Sequence, residues 1–157
     1  MKITLLTVGK TASAFVAAGL DEYSERLRHY VPFNIQCVGN SRTTRALPTD
    51  RQKVAEGQAL LAAIEPADYV ALLDEHGTER TSADFAVWLR KRLAGGRKRL
   101  VLVVGGPYGF SDDVFQRADE KVALSKMTFP HDLVRLIFAE QLYRAFTILH
   151  GEPYHHE

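Results

Sequence analysis

The five residues from Leu100 to Val104 are all apolar and run directly into the paired glycines Gly105 and Gly106. A short strand without polar residues is typical of a parallel sheet, in which helices cover both faces of the strand. A glycine pair after such a strand marks a sharp turn at its carboxyl end, where α/β proteins commonly hold their ligands. The segment therefore predicts an α/β fold with a candidate pocket beside this turn.

Strand and helix signals alternate along the rest of the chain. The predicted strands cover residues 2–8, 33–38, 69–73, 100–104 and 121–124, and the predicted helices cover about 13–30, 50–65, 82–93, 111–118 and 132–149. Residues 40–49 are expected to form a loop and residues 74–77 a turn. This alternation predicts a mostly parallel sheet with helices on both faces. We expect residues 1–157 to form a single domain, which is usual for a chain of this length.

The composition argues against several classes of protein. Hydrophobic residues make up 46% of the chain and charged residues 25%, as in soluble globular proteins. No apolar run reaches the roughly 20 residues of a membrane span, and the first apolar stretch is too short for a signal peptide. The single cysteine, Cys37, excludes an internal disulfide and a cysteine-based zinc site within one chain. We therefore expect a cytoplasmic protein that uses neither a membrane nor a metal.

The net charge is only +1, but the cations are grouped in two places. One group comprises Arg90, Lys91, Arg92, Arg97, Lys98 and Arg99, and the other comprises Arg42, Arg45, Arg51 and Lys53. Both groups are suited to binding a phosphate backbone. The first group is explained equally well as a solvated helix end whose cations complement the helix dipole.

The last predicted helix places Arg135 within an apolar stripe, and a guanidinium cannot shed its charge when it is buried. Asp132, one turn earlier, is one candidate partner. An anionic ligand or a facing subunit is the other, and we favour it. Apolar residues also cover most of this helix, which indicates either a central core helix or half of a dimer interface. We expect a homodimer.

The glycines Gly105, Gly106 and Gly109 do not identify a ligand by themselves. They do not match the dinucleotide pattern G-x-G-x-x-G, and the lysine of a phosphate-binding P-loop is missing. Taken alone, they are better explained as a tight turn than as a place where a ligand approaches the backbone. The sequence around them is what favours a nucleotide-like cofactor.

Six segments, KITLLTVGK, EGQALL, GGPYGF, LSKMTFPHDLVR, EQLYRAF and the terminal GEPYHHE, carry a resemblance to a known family. In this order, and over residues 1–157, they resemble the ribosomal RNA large subunit methyltransferase H family of the SPOUT superfamily. The resemblance implies an α/β fold with a C-terminal trefoil knot, a homodimer, and S-adenosylmethionine as the methyl donor. It also implies methylation of N3 of a pseudouridine in 23S ribosomal RNA, which we expect to occur on the assembled ribosome.

The resemblance also suggests roles for individual residues. The residues expected to bind the cofactor are Leu73, Gly105, Gly106, Leu124, Ser125, Lys126, Met127, Thr128 and Phe129. The catalytic candidates are Arg135, which would stabilise a pseudouridine anion, His131 and His155, which would accept its proton, and Tyr154. We expect Tyr154 and His155 of one subunit to complete the pocket of the other.

Two of these catalytic candidates have simpler explanations. His131 is explained about as well as a helix-start residue bonded to the backbone. For His155 the alternative is a frayed tail, but the recurrence of the Pro-Tyr-His ending in the family favours a residue that faces the substrate. The terminal motif also departs from the family pattern, because His156 stands where a basic residue commonly follows the Tyr-His pair. This departure weakens the case for a permanently charged contact with RNA at that position.

Two other classes of function are compatible with the residues. A dimer that binds RNA without catalysis would keep the same fold and transfer no methyl group. A nucleotide-binding oxidoreductase would also suit a glycine turn after a parallel strand. The missing G-x-G-x-x-G pattern counts against the oxidoreductase, as does the absence of an acidic residue at the end of the second strand, where Val38 and Gly39 stand.

Overall fold

The computed structural model describes residues 1–39 and 41–156. Along the chain, the elements are β1 (Lys2–Val8), α1 (Ala14–Arg28), β2 (Phe33–Val38), α2 (Arg42–Arg45), α3 (Thr49–Ala62), β3 (Tyr69–Glu79), α4 (Ser82–Leu93), β4 (Arg99–Val104), α5 (Asp112–Arg117), β5 (Glu120–Ala123) and α6 (Leu133–Leu149). The strands form one sheet in the order β2-β1-β4-β3-β5, and every neighbouring pair is parallel. The predicted α/β fold with a parallel sheet is confirmed. No helix in the two described ranges is long and apolar enough to cross a bilayer.

Helices cover both faces of the sheet, and successive strand residues point to opposite faces. In β1, Ile3 and Leu5 belong to the core shared with α1, α4 and α6, whereas Leu6 and Val8 belong to the core shared with α3 and α5. The apolar residues of β4 are buried along the whole strand. Because each fully buried Val or Leu contributes roughly 1.5–3 kcal/mol, the central strands supply much of the stability of the fold.

The helix α6 lies between α1 and α4. Its side chains Phe138, Leu142 and Phe146 are buried in the core of the same chain. On the α1 side, a Cβ on Gly19 would lie 2.7 Å from Leu136 Cδ1, so the absence of a side chain at Gly19 lets the two helices approach closely. One chain therefore buries the central apolar side chains of α6 and leaves others, such as Ile137, half-buried, so the expected homodimer needs support from other features.

The observed elements differ from the predicted ones mainly in two places. The expected loop at 40–49 contains the short helix α2, where the Ser41 hydroxyl accepts a hydrogen bond from the Thr44 backbone N–H at 3.1 Å. Strand β3 continues past the predicted turn, because Leu73 and Thr78 both pair with Val122 of β5. The intervening residues 74–77 loop out of the sheet as a bulge at this register shift. The other predicted boundaries agree with the structure within three residues.

Candidate functional site

A cavity of about 550 Å³ lies at the carboxyl end of β4 and beside the bulge in β3. Three segments provide most of its lining: Leu73 and the bulge that follows it in β3, the glycine turn after β4, and the loop from β5 to α6. The volume lies within the range of roughly 300–1,000 Å³ that is typical of small-molecule sites. The location is the one at which parallel α/β sheets bind ligands.

The structure brings together eight of the nine residues predicted to bind a cofactor. The residues that line the cavity are Leu73, Gly105, Gly106, Leu124, Ser125, Met127, Thr128 and Phe129. Lys126 is not among them, because its side chain is 88% exposed and its Nζ lies 3.8 Å from Glu79 Oε1. The Ser125 hydroxyl accepts the Met127 backbone N–H at 3.0 Å, which holds the loop in shape.

The glycine turn is constrained by its own packing. The Gly109 N–H donates to the Gly106 carbonyl at 3.1 Å, and Gly109 has a φ of 81°, so the predicted tight turn is confirmed. A Cβ on Gly105 would lie 3.1 Å from the Phe110 ring, and a Cβ on Gly106 would lie 2.5 Å from Glu56 Oε2. The protein's own side chains therefore occupy the space that larger residues at 105 and 106 would need.

Glu56 of α3 is an ionisable side chain buried against this turn, with 2% of its surface exposed. Neither of its carboxylate oxygens has a hydrogen-bond partner in the part of the chain that the structure describes. Burial raises the pKa of the Glu56 carboxyl above its usual value, and the nearby Gln52 side chain lowers this pKa by less. The EGQALL segment contributes to the family resemblance, but its sequence did not indicate that Glu56 is buried beside the cavity.

Replacing Glu56 by Gln is expected to raise the free energy of unfolding by about 1–3 kcal/mol near pH 8, because the change removes a buried charge that has no partner. The raised pKa means that the protonated carboxyl favours the folded state, and that this contribution is lost as the pH rises through the folded-state pKa. The difference in the free energy of unfolding between Glu56→Gln and the wild type should therefore shrink as the pH falls toward about 4. Urea unfolding across this pH range measures it.

The control for this prediction is Glu25→Gln, which alters an exposed ion pair with Arg28 on α1. This variant should show no gain in stability at high pH, because exposed ion pairs contribute little. A Glu56→Gln protein that is less stable than the wild type near pH 8 would contradict the prediction.

The four predicted catalytic residues do not lie together in one chain. His131 lines the cavity, and its imidazole makes no hydrogen bond with the described residues. Arg135 is 1% exposed and does not line the cavity. Tyr154 and His155 contact α6 and, through Tyr23, α1, and they do not line the cavity either.

The partners of Arg135 are backbone and hydroxyl oxygens at the end of β1. Arg135 Nη2 donates to the Val8 carbonyl at 2.8 Å, and Nη1 donates to the Gly9 carbonyl at 3.0 Å and to Thr11 Oγ1 at 3.1 Å. Burial lowers the pKa of the Arg135 guanidinium, but an arginine stays charged in a protein. Arg135 thus joins the start of α6 to the end of β1.

Asp132, the other partner considered for Arg135, has a different role in the structure. Its carboxylate accepts the backbone N–H groups of Ala12 at 3.2 Å and Ser13 at 3.0 Å, just before α1. A carboxylate at a helix N-terminus is stabilised by the helix dipole and satisfies unpaired N–H groups. Asp132 and Arg135 therefore both connect α6 to the segment between β1 and α1.

The C-terminal tail packs on the side chains of α1 and α6. Tyr154 Oη donates to Glu140 Oε1 at 3.0 Å and lies 3.3 Å from Tyr23 Oη. Burial, Tyr23 and Glu140 together raise the pKa of Tyr154 well above its usual value, so the phenol stays protonated and is suited to donating a hydrogen bond. Arg144 Nη1 donates to His155 Nδ1 at 3.2 Å, since a guanidinium has no acceptor.

Several polar residues line the cavity although they were not predicted as site residues. These residues are Lys53, Asp74, Glu75, His76 and Tyr108. The His76 backbone N–H donates to Asp74 Oδ1 at 2.8 Å, which closes the bulge in β3. The bulge residues could have been found from their position directly after Leu73. Lys53 was marked by the sequence only as one of a group of cations, without any indication that it lines this cavity. Within residues 1–39 and 41–156, no cluster of His, Cys, Asp and Glu is arranged to hold a metal.

The sequence was also compared with known proteins. A family profile described as "Predicted SPOUT methyltransferase" matches residues 1–155. The chain is 50% identical to the ribosomal RNA large subunit methyltransferase H of Parabacteroides distasonis and 47% identical to that of Bacteroides fragilis, over the full length of both chains in each case. It is 48% identical to the protein of the same name from Christiangramia forsetii, over 99% of both chains. These matches confirm the resemblance, and the chain belongs to the ribosomal RNA large subunit methyltransferase H family of SPOUT methyltransferases.

Proposed function

We propose that this protein transfers a methyl group from S-adenosylmethionine to N3 of a pseudouridine in 23S ribosomal RNA, and that it acts in the cytoplasm on the assembled ribosome. The observation that carries the proposal is the cavity at the carboxyl ends of the strands, which is lined by the segments GGPYGF and LSKMTFPHDLVR. The relatives' names support a methyltransferase that acts on large-subunit ribosomal RNA.

The chemistry of the cavity suits this methyl donor. Leu73, Leu124 and Met127 offer apolar walls for a purine, and the backbone of the glycine turn offers amides and carbonyls for polar edges. The Glu56 carboxylate behind the turn lacks a partner among the described residues and favours a cationic ligand in its vicinity. When bound, the donor supplies a methyl group on a positively charged sulfur.

The chain's own residues then have to align the base and accept the N3 proton. We assign His131 as the acceptor of the N3 proton, because its imidazole lines the cavity and makes no hydrogen bond with the described residues. His155 of a second copy is the alternative acceptor. We propose that Tyr154 contacts the base, although donating to a base carbonyl would require its single phenolic proton to leave one acceptor, Glu140 Oε1. Arg135 is assigned a structural role, because catalysis would require its guanidinium to leave its three oxygen acceptors.

We propose that the protein is a homodimer in which the tail of one copy completes the cavity of the other. Tyr154 and His155 do not line the cavity of their own chain. Phe15, which is 68% exposed on α1, and Met127, which is 75% exposed at the cavity, offer apolar surface that a second copy would cover. Sedimentation at micromolar concentration is expected to give the dimer mass. A monomer mass would contradict this arrangement.

We also propose that the C-terminal segment forms the trefoil knot that the family resemblance implies. Two observations are consistent with it. Strand β5 lies at the edge of the sheet beside β3, and α6 returns from that edge to lie between α1 and α4.

A transfer assay with radiolabelled S-adenosylmethionine tests the proposed function. Ribosomes that lack the modification should accept label, and mapping should place it on N3 of one pseudouridine of 23S RNA. Free RNA and isolated subunits, tested in parallel, should accept less label. Calorimetry should show binding of S-adenosylmethionine in preference to NAD. Preference for NAD would favour an oxidoreductase, and a failure to methylate any RNA would favour a non-catalytic RNA-binding dimer.

A further inference from the structure

The two groups of cations in the sequence lie at opposite ends of the parallel strands. The group between residues 90 and 99 leads into the amino end of β4, whereas the cavity lies at its carboxyl end, about 17 Å farther along the strand. Arg42, Arg45 and Arg51, which we name the α2–α3 cations, follow the carboxyl end of β2. The strands are parallel, so the carboxyl end of β2 lies on the same side of the sheet as the cavity at the carboxyl end of β4. The neighbouring Lys53 lines the cavity itself.

The cations between residues 90 and 99, at the amino ends of the strands, lie far from the cavity, and three of them form bonds within the fold. Arg92 Nη2 lies 3.2 Å from Glu120 Oε1, Arg99 forms an ion pair with Asp68, and Arg97 Nη1 donates to the Ala67 carbonyl at 3.1 Å. Arg90, Lys91 and Lys98 of this group are exposed.

The α2–α3 cations have a different environment. All three are exposed, and none of their side chains forms an ion pair or a hydrogen bond with residues 1–39 or 41–156. Asp50 is the single acid between residues 41 and 55, so the local charge is strongly positive. Unpaired cations beside a ligand cavity are available to an anionic partner.

We propose that the α2–α3 cations form a phosphate-binding surface that holds the RNA backbone next to the target base. This inference rests on the proposed function. The guanidinium fork matches phosphate oxygens, and hydroxyl groups such as that of Thr43 are a second common phosphate contact. The cations are distributed over α2 and the first turn of α3, which suits a row of phosphates better than a single phosphate group. Lys53 connects this surface to the cavity.

The test compares two triple variants with the same change in net charge. The first is Arg42→Gln/Arg45→Gln/Arg51→Gln. The matched control is Arg90→Gln/Lys91→Gln/Lys98→Gln, near the amino ends of the strands. All six positions are exposed, so both proteins are expected to fold. The measurements are kcat/KM for methyl transfer to unmodified ribosomes, the affinity for 23S RNA within those ribosomes at several salt concentrations, and calorimetric affinity for S-adenosylmethionine.

The first triple variant should lower kcat/KM on the order of 100-fold and should reduce the slope of log affinity against log salt by about 2. Its affinity for S-adenosylmethionine should not change, and the control should stay within about threefold of the wild type. An equal loss in both variants would overturn the proposal, because it would show an effect of overall charge. Unchanged RNA affinity in the first variant would also overturn it. A wild-type protein that methylates no RNA would instead refute the proposed function, and RNA affinity alone would then decide this inference.

Discussion

Replacing Arg135 by Met is expected to lower the free energy of unfolding by about 3 kcal/mol, because two buried carbonyls and a hydroxyl lose their charged donor. For a domain of this size, such a loss lowers the melting temperature by roughly 6–12 °C. Methionine nearly preserves the volume of the side chain, so the change reports the lost hydrogen bonds more than a cavity. Thermal and urea unfolding measure the effect.

The control for Arg135→Met is Arg28→Met, which removes an exposed ion pair to Glu25 on α1. Its effect on the free energy of unfolding should stay below about 1 kcal/mol. If Arg135 were instead a catalytic cation, its replacement would depress the turnover number and leave the melting temperature near that of the wild type. That result would return Arg135 to the catalytic role that the sequence suggested.

Arg135 also shows where reasoning from sequence reaches its limit. An arginine in an apolar stripe indicates that the residue needs a partner, and this requirement could be predicted. The identity of the partner could not, because the main acceptors are the carbonyls of Val8 and Gly9, and every residue of the chain has such a carbonyl. Asp132 was a reasonable partner by spacing, but its carboxylate is used by the N–H groups of Ala12 and Ser13.

The architecture could be predicted because apolar periodicity is a local property of the sequence. The continuous apolar run of β4 identified a central parallel strand, and the alternation of elements identified the helical layers. The extension of β3 to Glu79 was not predictable in the same way. It depends on Val122, which pairs with both Leu73 and Thr78 and lies far away along the chain.

The candidate site was predictable only in part. Family motifs indicated the glycine turn and the loop before α6. Both follow the carboxyl ends of strands, which lie on the same side of a parallel sheet. Lys53 and Glu56 belong to α3, an ordinary helix by its sequence, and they approach the turn only through tertiary packing. A carboxylate without a partner carries no local signature, so the burial of Glu56 emerged from the structure alone.

Deleting the tail from Pro153 onward is expected to reduce methyl transfer by about 10²-fold or more, because the tail is proposed to complete the partner's cavity and to position the base there. The affinity for S-adenosylmethionine should stay within a few fold of the wild type, because no residue from 135 to 156 lines the cavity. Calorimetry and the radiolabel assay measure the two effects separately. A deletion variant with full activity would remove Tyr154 and His155 from the mechanism.

A mixing experiment determines whether the tail acts on its own chain or on the partner. Thr128→Arg should block the cavity without unfolding the protein, because Thr128 is exposed and lines the cavity, and it is not part of the apolar surface assigned to the dimer. A chain with this change keeps its tail, and a tail-deleted chain keeps its cavity. If the tail acts across the dimer, a mixture that exchanges subunits should regain about one quarter of wild-type activity, since half of the dimers are mixed and each holds one complete site. If the tail acts within its own chain, no complete site exists in any dimer, and the mixture should be as inactive as either variant alone.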